Sequence, residues 1–283
     1  MPTESETMEN VQDQRPVTVV MSVCNGEKTL DAAISSVLNQ SYTDFQLIIC
    51  DDASTDGTWE TLRSWERRDE RVTLLRNEVN AGAGPSRNRC LALAGGRYTA
   101  LMDADDVSMP SRLAEQVTYL DETPDIDFVG TKGEYFCREP GDLGKNYWFL
   151  SRPQKTDFLM TLPFVHASLM FRTEVLRALG GYRDSRTVRR SEDYDLLMRA
   201  YAAGFHGANL AAPLYGIRLD PESYQRRKYR YRFTECLVKW RGFSRMGLMP
   251  RGIPYAIKPL FVGLIPNKVL EAMKERYYSK AGE

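Results

Sequence analysis

Three carboxylates, Asp103, Asp105 and Asp106, stand directly after the apolar run Tyr98–Met102. Like charges this close repel one another unless a cation or hydrogen bonds hold them, and Asp is a poor strand former. Oxygen ligands of this kind suit Mg²⁺ or Mn²⁺, which usually bridge one or two carboxylates to the phosphates of a substrate. The alternative is a solvated acidic turn capping the helix that Pro110 begins, since Asp is common at such caps. A second acidic pair, Asp51-Asp52, ends another apolar run. A third group, Glu192-Asp193-Tyr194-Asp195, opens a predicted helix, where acid at the first turn also complements the macrodipole.

The elements that must position these groups alternate. Val17–Val23, Phe45–Cys50, Val72–Leu75 and Tyr98–Met102 read as strands. Val17–Val23 is almost continuously apolar, as a strand buried on both faces of a parallel sheet should be. Leu30, Ile34, Val37 and Leu38 recur at helical spacing, and Thr58 to Arg68 predicts a polar helix. The loop Asn80–Pro85 leads into a helix carrying Arg87, Asn88 and Arg89 in its first turn, and Arg112–Leu120 forms another. This pattern predicts an α/β fold, a mixed, mostly parallel, Rossmann-like sheet flanked by helices, with ligands bound beyond the carboxyl ends of the strands. Cys24–Glu27, Asp51-Asp52 and Asp103–Asp106 all fall at such ends, so they converge on one crevice. That convergence favours a ligand site over a helix cap.

Beyond Ile126–Gly130 the alternation loosens, and 132–155 reads as a hairpin or excursion rich in aromatic residues. Ala167–Phe171 predicts a strand, Glu174–Leu179 a short helix, and Leu196–Ala203 a longer one after the Gly- and Arg-rich loop Gly180–Arg190. The 283 residues carry 38 basic and 38 acidic side chains, but 221–283 is strongly basic and the remainder acidic. Five widely spaced cysteines, odd in number and without a CxxC pair, indicate neither a disulfide framework nor a zinc site. Residues 1–16 are polar with no apolar signal core, which predicts a disordered leader and a cytoplasmic setting. Ile253–Pro266 is too short to span a bilayer.

In their order, Cys24-Asn25-Gly26-Glu27, Asp51-Asp52-Ala53-Ser54-Thr55-Asp56, Arg87-Asn88, Met102-Asp103-Ala104-Asp105-Asp106 and Glu192-Asp193-Tyr194-Asp195-Leu196 resemble the family 2 glycosyltransferases of the GT-A fold. The resemblance runs from about Val17 to Leu219, which makes 17–220 the expected catalytic domain. It implies an inverting, metal-dependent transfer of a sugar from a nucleotide donor, UDP foremost, to a saccharide or lipid-linked saccharide in cell-surface polysaccharide assembly. It places Asn25, Glu27, Asp52, Arg87 and Asp103 toward the donor. Asp105, with Asp103 or Asp106, would hold Mn²⁺ or Mg²⁺. Asp193 would be the base, with Glu192 beside it.

His166 matches a position where relatives often carry a histidine near acceptor or diphosphate, though a lone histidine is more often structural. Arg87 would contact phosphate or pair with Asp103, unless it is a surface residue. The Leu214–Asp220 segment lacks the histidine that many relatives have there, so a fourth metal ligand is not expected. The rivals are a sugar nucleotidyltransferase and a catalytically silent carbohydrate-binding relative.

The tail 221–283 predicts a basic amphipathic helix over Tyr224–Arg241, an apolar stretch Tyr255–Ile265 and a helix Lys268–Tyr278. It would either pack on the catalytic domain or dock on an anionic membrane at the inner face of the cell, and no nucleic-acid module accompanies its charge.

Overall fold

The structure, a computed structural model, describes residues 15–143, 145–146, 149–183, 188–219 and 229–262. Strands β1 (Val17–Val23), β2 (Phe45–Asp51), β3 (Val72–Arg76) and β4 (Tyr98–Asp103) run parallel in the order β3-β2-β1-β4. Their crossovers carry α1 (Leu30–Leu38), α2 (Thr58–Arg68) and α3 (Ala83–Leu93).

The sheet continues through β8 (Met170–Arg172), β6 (Phe128–Phe136), β9 (Gly207–Arg218) and β5 (Val107–Ser108). In this half β8 is antiparallel to both β4 and β6, whereas β6 and β9 are parallel. A short β7 (Lys145–Asn146) pairs with β6. Helices α4 (Arg112–Glu122), α5 (Thr173–Ala178), α6 (Glu192–Ala202), α7 (Arg230–Arg245) and α8 (Ile253–Val262) complete the described chain. The mixed, mostly parallel sheet flanked by helices is the architecture the strand pattern predicts.

Both faces of the sheet are buried. Val19 and Met21 pack with Leu30 and Ile34 of α1 and Leu113 of α4, while Val20, Ile48 and Leu101 pack with Cys90 of α3, Leu196 of α6 and Val238 and Phe243 of α7. Each such side chain contributes roughly 1.5–3 kcal/mol when fully buried, which is why β1 tolerates no polar alternation. All five cysteines are free.

Three expectations are corrected, and strand β9 is added to what the sequence predicts. The strand expected at Ala167–Phe171 is shorter, because 166–168 turns as a 3-10 helix before β8. Strand β6 runs on to Phe136 and takes Tyr135 and Phe136 out of the expected excursion. Its long partner β9 has no clear strand signal, since Asn209, several alanines and Pro213 depress strand propensity; the register shifts beside the Lys132–Pro213 pair. Helix α3 starts at Ala83, two residues before Pro85, after Gly82 adopts φ 101°.

Within the described residues the basic helix runs from Arg230 to Arg245, and the apolar stretch after it is the helix α8, with Pro259 inside. Helix α7 packs on α6 closely enough that a Cβ on Gly242 would meet the Met198 sulfur. Most of the expected leader, the first basic residues of the tail and the helix Lys268–Tyr278 lie outside the described residues. Among the described residues no helix is long and apolar enough to cross a membrane.

Where β4 parts from β8, Arg112 fills the junction. Its side chain is buried, donates from Nη2 to the Leu101 carbonyl at 2.8 Å and from Nε to Gln116 Oε1 at 3.1 Å, and lies 5.0 Å from the Tyr215 ring centre. Gln116 in turn donates to the Val129 and Ser168 carbonyls, both at 2.8 Å. Burial pushes the Arg112 guanidinium down to about 10, so it stays charged at neutral pH. Arg112→Ala leaves a cavity and an unpaired buried carbonyl, and urea denaturation is expected to register a loss of about 3 kcal/mol or more. A loss under about 1 kcal/mol would show that the junction does not depend on this side chain.

Candidate active site

Register brings the acids to within one residue of the same level. Val23 pairs with Asp51 across β1–β2, and Ser22 pairs with Asp103 across β1–β4. The chain leaves β1 toward β2 on one side and returns as β4 on the other, so the crevice opens where the strand order reverses.

One carboxylate oxygen from each of Asp103, Asp105 and Asp106 lies within 4.8 Å of the others. Burial and the neighbouring charge of Asp103 push the Asp105 carboxyl up to about 6, although the residue keeps a solvent-facing edge, and drive Asp106 well above the usual carboxylate range. Asp106 is held from behind. Its Oδ1 accepts the Arg218 backbone N–H at 2.9 Å, and the Tyr215 hydroxyl bonds its carboxylate while accepting the Asp103 N–H at 3.2 Å. The Arg218 Nε donates to the Asp105 carbonyl at 2.8 Å. A cluster of oxygen donors in which the proton affinity of Asp105 and Asp106 is raised fits a hard divalent cation, with Asp105 facing outward to receive it.

Arg87, which the earlier start of α3 puts in its second turn rather than the first, is buried and pairs with Asp103. Its guanidinium also lies 5.6 Å from the Tyr182 ring centre and within the field of Glu192. These acids hold the guanidinium far above its ordinary range despite burial. Among the described residues the Arg87 Nε and the Glu192 Oε2 are both buried with no hydrogen-bond partner, as are single oxygens of Gln46, Asp51 and Asn209, and each such group calls for an explanation. A cleft of about 230 Å³ lies between the Asn80–Pro85 loop and Arg183, Arg189 and Glu192.

The acids of α6 divide by partner. Asp195 is buried between Arg183, at 3.2 Å, and Arg199, at 2.7 Å, which makes it a structural ion pair. Asp193 accepts the N–H of Tyr194 at 2.8 Å, and among the described residues no cation pairs with it; removal of its water raises its carboxyl to about 6. Glu192 and Asp193 stay half-buried at the start of the helix, and Ser191 makes no side-chain cap there.

Other expected donor residues organise loops. Asp52 accepts the N–H groups of Ala81 and Gly82, each at 2.8 Å, and the Asn77 amide at 2.7 Å, so its carboxylate shapes the loop before α3. Asn25, at φ 55°, accepts the Thr55 N–H at 2.8 Å, and Glu27 accepts the Gly57 N–H at 3.2 Å. The N–H groups of Asn25, Gly26 and Glu27 themselves donate to Ser54, Thr58 and Asp56. They do not form the free amide cradle that a triphosphate-gripping nucleotidyltransferase would need after its first strand.

His166 lies 3.0 Å from the Tyr182 hydroxyl, and burial with the nearby Arg87 charge drives it well below its usual value, so it is neutral. Tyr182, Tyr215 and Arg218 were not anticipated. The only sequence sign of Tyr182 is its place after Gly180-Gly181, where Asn88 clasps its backbone N–H and carbonyl at 2.8 and 2.7 Å.

Set beside known proteins, residues 18–180 match the model of the family described as "Glycosyl transferase family 2". The chain is 36% identical over 265 residues to the putative glycosyltransferase EpsE of Bacillus subtilis, covering 93% of each. Its fold is similar to that of S. aureus TarS, solved as residues 1–349 with UDP-GlcNAc, at a TM-score of 0.68 and 18% identity over 89% of this chain and 76% of that one. It is also similar to the mannosyltransferase PcManGT of Pyrobaculum calidifontis, solved with GDP-Man and Mn²⁺, at a TM-score of 0.60 and 19% identity over 93% and 80% of the two chains. With its acids at the sheet's switch point and more than half its length matched by the family model, the chain belongs to glycosyl transferase family 2.

Proposed function

We propose that this glycosyltransferase is metal-dependent and inverting, and that it moves a hexose or N-acetylhexosamine from a nucleoside diphosphate to a saccharide or lipid-linked saccharide in cell-surface polysaccharide assembly. The carrying observation is the division of acids around Arg87: a crowded carboxylate cluster at the end of β4 on one side, and the hydrogen-bond-poor, desolvated Asp193 on the other. The first suits a diphosphate with its cation, and the second suits proton removal. UDP is the expected nucleotide, although proteins of this fold have been solved with UDP-GlcNAc and with GDP-Man alike.

In this reading the acceptor hydroxyl attacks the anomeric carbon from the face opposite the diphosphate. Its proton passes to a carboxylate oxygen of Asp193 as the sugar–phosphate bond breaks and the nucleoside diphosphate leaves. A single displacement inverts the anomeric centre and needs one base and no covalent nucleophile. Asp105, with Asp103 or Asp106, would hold Mn²⁺ or Mg²⁺, which supplies charge to the departing diphosphate. Arg87 offers on the same side an Nε that has no hydrogen-bond partner among the described residues, and Glu192 borders the cleft where donor and acceptor would meet. Asp52, Asn25 and Glu27 serve the donor by fixing the loops that border it. His166, neutral and tied to Tyr182, positions that tyrosine beneath Arg87. The intact acid set weighs against a silent carbohydrate-binding relative. The protein would work in the cytoplasm, peripheral to the inner face of the cell membrane.

Asp193→Asn is expected to cut transfer from a UDP-sugar by about 10²–10⁴-fold while donor affinity, read by calorimetry, changes less than about threefold. Unchanged turnover would remove Asp193 as the base. In the wild type, the base must be ionised, so the rate should rise with pH up to about 6 and level off above it. A flat profile between pH 5 and 7 would contradict this assignment. Asp105→Asn is expected to weaken Mn²⁺ binding by about tenfold or more in calorimetric titration. Equal affinity would place the cation elsewhere.

A further inference from the structure

Seven large apolar side chains are exposed among the described residues, and five of them belong to α7 and α8 or their edge: Tyr229, Phe233, Trp240, Ile253 and Phe261. At about 100° per residue, Tyr229, Phe233 and Trp240 fall within roughly 40° of one another on α7, opposite the face that buries Val238, Gly242 and Met246. Tyr229 and Phe233 stack edge to face at 5.5 Å. On α8, Ile253 and Phe261 project away from the buried Ala256 and Pro259. The two arcs join where the Tyr229 hydroxyl donates to the Leu260 carbonyl at 3.2 Å, beside Phe261. Arg241, Arg245, Arg251 and Lys258, on the same two helices and the turn between them, are exposed as well.

Residues 229–262 hold seven Lys or Arg against one acid, Glu235, and that acid is already paired with Arg232 and Lys239. Scattered exposed apolar residues are ordinary, but exposed aromatics gathered on a helix pair with this excess of cations are the composition of a bilayer-interface face.

We infer that the α7–α8 face docks on an anionic lipid surface, with the aromatic stripe entering the headgroup layer and the exposed basic side chains of the same helices meeting the phosphates. The inference rests on the reading that the acceptor is presented at a membrane, and it names the face that meets it. Docking would also bear on the reaction. Helix α7 lies on α6, the helix that carries Asp193, with Lys239 Nζ 5.0 Å from the Tyr194 ring centre. The Arg190 guanidinium is 4.8 Å from the Tyr231 ring centre. The docking helix therefore touches the segment that ends at the base, and the lipid surface would stand on the α6 side of the crevice rather than on the β3 side.

The test is co-sedimentation of the full chain with vesicles of roughly three parts phosphatidylcholine to one part phosphatidylglycerol, and with phosphatidylcholine alone. Binding to the mixed vesicles is expected to exceed binding to neutral ones by about tenfold and to fall with added salt. The double variant Phe233→Glu/Trp240→Glu should lose about tenfold or more of the mixed-vesicle binding, while UDP-sugar binding in solution stays at the wild-type level. Arg251→Glu/Lys258→Glu should lose the preference for anionic vesicles.

No partition of the wild type into either vesicle overturns the inference. So does wild-type partition by both variants, or a double variant that changes only the oligomeric state in gel filtration, which would make the face an interface between copies. A chain that binds vesicles but no nucleotide sugar leaves the docking face standing and sinks the glycosyltransfer reading, so the two failures are separable.

Discussion

The buried guanidinium of Arg87 is the charge around which the site is balanced. Burial alone would disfavour an ionised side chain there, and only acids on more than one side make the position tenable. Asp103 reaches it from the end of β4, and Glu192 lies near it from the start of α6. The same cation lowers the proton affinity of Asp193 and of His166 and sits against the Tyr182 ring. Two segments about ninety residues apart in the chain are thereby held to one arginine.

That balance requires a rigid frame on both sides. The parallel register of β1, β2 and β4 sets Asp51 and Asp103 within one residue of the same level, and burial on both faces allows those strands no slip without moving apolar side chains into polar surroundings. Beyond the strands, Asp52, Asn25 and Glu27 fasten the loops to one another through backbone N–H groups. Hydrogen bonds donated by amides to a charged acceptor are stronger than neutral ones, so Asp52, which accepts two part-buried N–H groups, holds its loop more firmly than the neutral Asn25 holds its own. Across the sheet, β9 delivers the Arg218 backbone and the Tyr215 hydroxyl behind the Asp cluster, which leaves Asp105 as the outward-facing carboxylate.

The parallel half of the fold is legible from sequence because its strands are buried twice over and their apolar runs end abruptly in acid. The second half is not. Strand β9 is built from residues of weak strand propensity, and it exists because β6 pairs with nearly its whole length. The site was legible in its membership but less so in its division of labour. Sequence places Asp52 among the donor residues; only the fold reveals that its oxygens shape the neighbouring loop. Asp193 and Asp195 look alike in the chain, yet one is desolvated and the other is locked to two arginines. The spacing of Asp195 and Arg199, one helical turn apart, was a readable signal of that ion pair. Tyr182 and His166 could not be joined from sequence, because their contact depends on how the 3-10 turn at 166–168 meets the Gly180-Gly181 loop.

The tail was expected either to pack on the catalytic domain or to face a membrane, and α7 is placed to do both: one side rests on α6 while the opposite side exposes aromatic rings. The central claim, however, concerns Arg87, and it is tested most directly by calorimetric titration of UDP with Mn²⁺ into the wild type and Arg87→Met. If the buried guanidinium joins the diphosphate side of the site to the base, the variant should stay folded by circular dichroism and bind UDP about tenfold or more weakly. A folded variant with wild-type UDP affinity would contradict the account.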